Sequence, residues 1–133
     1  MQYALLIYET PEQFALREDE RENEPYMGAW RAYYQSLVAA GVYAGGQPLD
    51  LPETGTTVAH AGGKRQIQDG PYANTKEQLA GILLLELPSL DAALEWAARC
   101  PTTLRGAVEV RPVAPHVHQR VTGEPLTSAR AEQ

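Results

Sequence analysis

The densest group of chemically capable side chains in this chain runs through residues 69–78, where Asp69, Tyr72, Asn74, Thr75, Lys76, Glu77 and Gln78 crowd together. Asp69 directly precedes Gly70-Pro71. An aspartate there either bonds nearby backbone N–H groups and sets a turn, or stands at a cleft mouth as a general base or ligand anchor. Asp69 is thus the catalytic candidate, with a purely structural alternative beside it. Lys76 and Glu77 offer a cation for an anionic substrate or a tuned acid–base pair. Sequence neighbours do not point the same way on a helix or strand, so the competing reading is an exposed ion pair worth little. Glu109 and Arg111 share one strand face by period two. They either line the sheet or meet a dimer partner. Tyr26, Trp30 and Tyr33 could wall a pocket for a flat ligand, or pack as core. The candidate ligand-binding residues are Tyr8, Trp30, Tyr33, Tyr72, Lys76, Glu77 and Arg111.

Other chemistries find little support. His60, His116 and His118 form no ligand set; the last two would share a face only in extended chain, a weak metal pair at most. The single cysteine, Cys100, excludes an internal disulfide framework and a multi-cysteine zinc site. There is no phosphate loop, nucleophile elbow or serine–histidine–aspartate pattern, and neither a metal nor a cofactor is expected.

The elements that must position these residues can be read from periodicity. Residues 2–8 have the composition of a buried strand. Residues 9–24 carry seven acids against two arginines and read as a solvated loop or short helix. Pro25 opens a helix whose apolar stripe is Tyr26, Trp30, Tyr33 and Leu37, ending near Gly41. A short strand follows at 42–46. Residues 56–60 and 64–69 form a hairpin around Gly62-Gly63, with one solvated face expected. Residues 81–87 are the most apolar run and read as a central strand. Ser89 caps a second helix, with Leu90, Ala93, Leu94 and Ala97 on one face. A final strand occupies 106–113, and residues 114–133 read as an arm or tail.

This order predicts an α+β fold: a ferredoxin-like sandwich with an antiparallel sheet and two helices on one face. Two helices cannot cover both faces, so a homodimer through the sheet is expected. With 133 residues the chain is one domain by size. The domain is expected over 1–115, with 116–133 as a C-terminal tail or dimer arm. The net charge of −6 argues against a nucleic-acid partner. No apolar run reaches the roughly 18 residues of a membrane span, and no export signal is visible. A cytoplasmic location is the expectation.

Asp69-Gly70-Pro71-Tyr72, followed by Thr75-Lys76-Glu77 and by Gly81 at the next strand, resembles the signature of DGPF proteins within the YCII-like family. The opening strand, residues 90–97 and residues 108–113 are similar to the same pattern, so the resemblance covers about residues 1–115. Tyr72 stands where phenylalanine is usual, and Ala80 where glycine is common. The resemblance implies a dimeric α+β barrel. The function expected from these residues is a small-molecule-binding protein or enzyme with a cleft around Asp69 and Lys76/Glu77, the alternative being a non-catalytic regulatory or interaction module acting through its dimer surface. Some relatives are proposed to use a histidine and an aspartate. The aspartate maps onto Asp69, but no histidine stands between Pro25 and Gly41, where Trp30 or a neighbour occupies the region.

Overall fold

Alternation along β1 (Gln2–Glu9) divides the molecule into two sides. Tyr3, Leu5, Ile7 and Glu9 are buried, while Ala4, Leu6 and Tyr8 between them are only half-buried. A computed structural model describes residues 1–127. After β1 come α1 (Pro11–Arg17), α2 (Pro25–Ala39), β2 (Tyr43–Pro48), β3 (Thr56–Ala61), β4 (Lys64–Asp69), β5 (Gln78–Glu86), α3 (Leu90–Arg99), β6 (Ala107–Pro112) and α4 (Pro115–Thr122). Single 3₁₀ turns lie at Pro52–Thr54 and Pro101–Leu104.

The main sheet runs β2-β5-β1-β6, antiparallel at every junction. Without the β3–β4 hairpin, this is the strand order of a ferredoxin-like sandwich. The core lies on one face, where Tyr3, Leu5, Ile7 and Leu85 meet Phe14 of α1, Tyr33 and Leu37 of α2, and Ala93 and Ala97 of α3. Leu5, Leu37 and Leu85 have no solvent exposure, each burial contributing about 1.5–3 kcal/mol.

Local signals set the helix starts. Thr10 and Gln13 form a reciprocal capping box on α1, with Pro11 in the first turn. The Glu24 carboxylate accepts from the Tyr26 and Met27 amides at 3.0 and 2.7 Å and caps α2 ahead of Pro25. Ser89 caps α3 by accepting from the Ala92 amide at 3.2 Å. Gly62 and Gly63 both hold positive φ, as the tight turn between β3 and β4 requires.

Four expectations need correction. Glu9 and Glu24 are buried, whereas most of the other acids in 9–24 are exposed, so that stretch is not uniformly solvated. The β3–β4 hairpin has exposed side chains on both faces; Val58 and Ile67, which pair across it, are 57% and 59% exposed. On α3 only Ala93 and Ala97 are buried, and Leu90 and Leu94 face outward. The C-terminal segment forms helix α4, and the Thr127 carbonyl accepts from Gln2 Nε2 at 3.3 Å; the rest of the expected tail, 128–133, lies outside the described residues. In that helix His116 and His118 are two positions apart and so point different ways.

Candidate functional site

Glu9 ends β1 in phase with Tyr3, Leu5 and Ile7, so the strand alternation carries it inward. Its side chain is 2% exposed, and a buried glutamate needs partners. One carboxylate oxygen accepts from Arg17 Nη1 at 3.2 Å, and the other accepts from the Tyr26 hydroxyl. Arg17 is delivered by the last turn of α1, and its Nη2 also donates to the Leu49 carbonyl. Tyr26 is delivered by the first turn of α2, through the Glu24 cap. Its hydroxyl lies 2.8 Å from Thr102 Oγ1. Since the Tyr26 proton goes to the acceptor-only carboxylate, Thr102 supplies the proton of that second bond. Burial, and then the bond to Glu9, push the Tyr26 phenol well above its ordinary value, so it stays a neutral donor. Gln13 closes the group: Nε2 donates to the Thr102 carbonyl at 3.0 Å while Oε1 accepts from the Thr10 amide at 3.0 Å. α1 and α2 thus meet β1 on one carboxylate, and the Pro101–Leu104 turn joins them through Tyr26 and Gln13.

This carboxylate stands at a cleft of about 460 Å³ between α2 and the β2–β5–β1 part of the sheet. The helix contributes Met27, Trp30, Arg31 and Tyr34; the sheet contributes Ile7, Tyr43, Gly46, Gly81 and Leu83; Glu9 and Arg17 lie beside them. At Gly46 a Cβ would stand 2.6 Å from the Ile82 carbonyl oxygen, so only glycine lets β2 lie this close beneath the cleft. Trp30 packs edge-on against Tyr33 at 5.6 Å, and Tyr34 against Tyr43 at 5.1 Å, giving the cleft stiff aromatic walls.

The residues singled out in the sequence are distributed differently from the single cleft expected. Trp30 lines the cleft. Tyr33 is buried behind it, its hydroxyl donating to the Trp96 carbonyl at 2.7 Å. Tyr8 and Tyr72 line a second cavity of about 490 Å³ with Leu49, Leu51, Thr75 and Leu79. Asp69 ends β4 opposite Thr56, exposed, and its carboxylate accepts no hydrogen bond among the described residues. The turn after it is held by the backbone instead, Gly70 N–H donating to the Gly55 carbonyl at 2.8 Å. Lys76 is exposed and Glu77 half-buried, with no ion pair between them. Arg111 pairs with Glu109 at 2.5 Å on the opposite sheet face from the core. Asp69, Lys76, Glu77 and Arg111 line neither cavity. Among the described residues no group of three His, Cys, Asp or Glu could hold a metal ion.

Sequence reasoning missed Glu9, Arg17 and Arg31. The signal for Glu9 was present: continuing the alternation of Tyr3, Leu5 and Ile7 by one step reaches it. Counting it among the acids of 9–24 hid that phase.

A family model described as the YCII-related domain matches residues 1–117. The uncharacterized protein R00369 of Rhizobium meliloti (strain 1021) is 36% identical over 118 residues, covering 86% of this chain and 93% of its own length. A solved structure of 5-chloro-2-hydroxyhydroquinone dehydrochlorinase (TftG) from Burkholderia phenoliruptrix AC1100, in complex with 2,5-dihydroxybenzoquinone, is similar with a TM-score of 0.50. It shares 19% identity, over 89% of this chain and 98% of that chain, a likeness of fold.

Proposed function

This chain belongs to the YCII-related family, and on that premise we propose that it is a small-molecule-binding protein or enzyme whose site is the cleft between α2 and the sheet. The observation that carries the reading is Glu9: a carboxylate 2% exposed, held by Arg17 and Tyr26 at the end of an aromatic-walled cleft. A volume of about 460 Å³ is within the usual range of small-ligand sites, roughly 300–1,000 Å³. Aromatic walls with a few convergent polar groups are the usual makeup of such a site. That a protein of the same fold is solved with a dihydroxybenzoquinone bound is compatible with this reading. The proposal moves the site from the neighbourhood of Asp69, Lys76 and Glu77 to that of Glu9 and Arg17.

A homodimer through the free sheet face is part of the proposal. Ala4, Leu6, Tyr8, Leu79, Ile82 and Leu84 form an apolar surface there, and Leu79 and Ile82 are 40% and 36% exposed. No helix among the described residues is long and apolar enough to cross a membrane, and a cytoplasmic location is retained as proposed.

The test uses Trp30 as its reporter. In a Trp96→Phe background Trp30 is the only indole of the two. A library of single-ring fragments at millimolar concentration is expected to yield members that change its emission and raise the melting temperature. If no fragment does either, the cleft is not a ligand site, and the interaction-module reading through the free sheet face takes its place.

A further inference from the structure

We infer that the cleft takes a flat aromatic ligand carrying an ionised oxygen, a carboxylate or phenolate, and that Arg31 is the group that selects it. This rests on the cleft being a ligand site, as proposed above, and it specifies the ligand class.

The chain as a whole carries −6, with 17 acids against 11 lysines and arginines. The cleft reverses that sign. Its charged lining residues are Glu9, Arg17 and Arg31, two guanidiniums against one carboxylate. Glu9 and Arg17 compensate each other. Arg31 is left over. It is exposed, it has no ion-pair partner among the described residues, and its one hydrogen bond goes from Nη2 to the neutral Glu22 carbonyl at 2.8 Å. A guanidinium has five N–H donors in a rigid fork matched to a carboxylate, and most of these are unused. An arginine without an ion-pair partner among the described residues, in so acidic a chain, shares this lining with the aromatic rings of Trp30 and Tyr34. Glu9 acts here as a positioning residue: it holds Arg17, Tyr26 holds Glu9 in turn, and the Arg17 charge is already answered at that end.

The experiment compares 2-naphthoate with 2-naphthamide, which differ chiefly in charge, by titration against the full chain at pH 7. The naphthoate is expected to bind roughly tenfold more tightly, the effect of about one charge-assisted hydrogen bond. The ratio is expected to fall towards one in Arg31→Met and with rising salt, while the melting temperature of Arg31→Met stays that of the parent. Equal binding of the two probes overturns the ligand class but leaves the cleft as a site. Preference for the naphthoate that persists in Arg31→Met overturns the role of Arg31. Failure of both probes, when single-ring fragments do perturb Trp30, also overturns the class. Only failure of the fragments themselves removes the site.

Discussion

At the scale of single residues, Glu9 separates two roles that a buried carboxylate can play. Glu9→Gln keeps the shape but leaves Arg17 without its charge partner. Unfolding stability is expected to drop by about 1–3 kcal/mol, as for a buried polar group losing its partner. A chemical denaturation series checks this. A fall in ligand affinity larger than the fall in stability marks Glu9 as part of the site, and a fall in stability alone marks it as a clasp for α1 and α2. Cys100 gives a pH dependence. Its side chain is 1% exposed, and burial pushes the thiol up to about 11. The unfolded chain releases that proton near 9.0, so below this pH both states hold it and the contribution is complete. As pH rises towards 11 the folded state still holds a proton that the unfolded state has lost, and stability falls by roughly 2–3 kcal/mol. Urea titrations between pH 8 and 11 should show this decline, reduced in Cys100→Ala. The Tyr26 and Tyr33 phenols, raised mainly by burial, add loss in the same direction at higher pH.

Among the elements, β5 lies between two ladders, paired to β1 on one side and β2 on the other. Central strands open only near global unfolding. The amides of residues 82–85 are expected to be among the slowest to exchange, and those of β3 and β4 among the fastest, in one native-state hydrogen-exchange experiment. Rapid exchange across 82–85 would remove β5 from the centre. The elements themselves were largely legible. The stripe of Tyr26, Trp30, Tyr33 and Leu37 marked α2, the glycine pair marked the hairpin turn, and the apolar run at 81–87 marked β5. What was not legible was side-chain context. Periodicity groups Leu90 and Leu94 with Ala93 and Ala97, yet the side of α3 turned to the core carries Ala93 and Ala97 with Ala92 and Trp96 packed beside them, and leaves Leu90 and Leu94 out. Lys76 and Glu77 looked convergent in sequence because nothing there shows that the segment runs along the surface. Glu9 looked like one more surface acid because its strand phase was not followed to the end.

For the whole molecule, one sheet face is packed by helices and the other carries the apolar surface of Ala4, Leu6, Tyr8, Leu79, Ile82 and Leu84, with the Glu109–Arg111 pair on its β6 edge. Sedimentation at micromolar concentration is expected to give twice the 14.6 kDa chain mass, and Leu6→Glu, on the free face, to halve it. A monomer for the parent chain would exclude sheet-to-sheet pairing. The order β2-β5-β1-β6 has another result. If the backbone is cut between Gly62 and Gly63, one fragment keeps β1 and β2 and the other keeps β5 and β6. Along the sheet, strands from the two fragments then alternate without exception, and the β3–β4 ladder also spans the cut. Neither fragment can build a single one of these ladders alone. Each half is an incomplete template for the other, so the first half to leave a ribosome has no sheet to form until the second arrives. Expressed separately, the halves should be unfolded, and on mixing they should regain β structure together. Recovery of β structure on mixing would make the chain a split reporter with its breakpoint at the solvent-exposed Gly62-Gly63 turn.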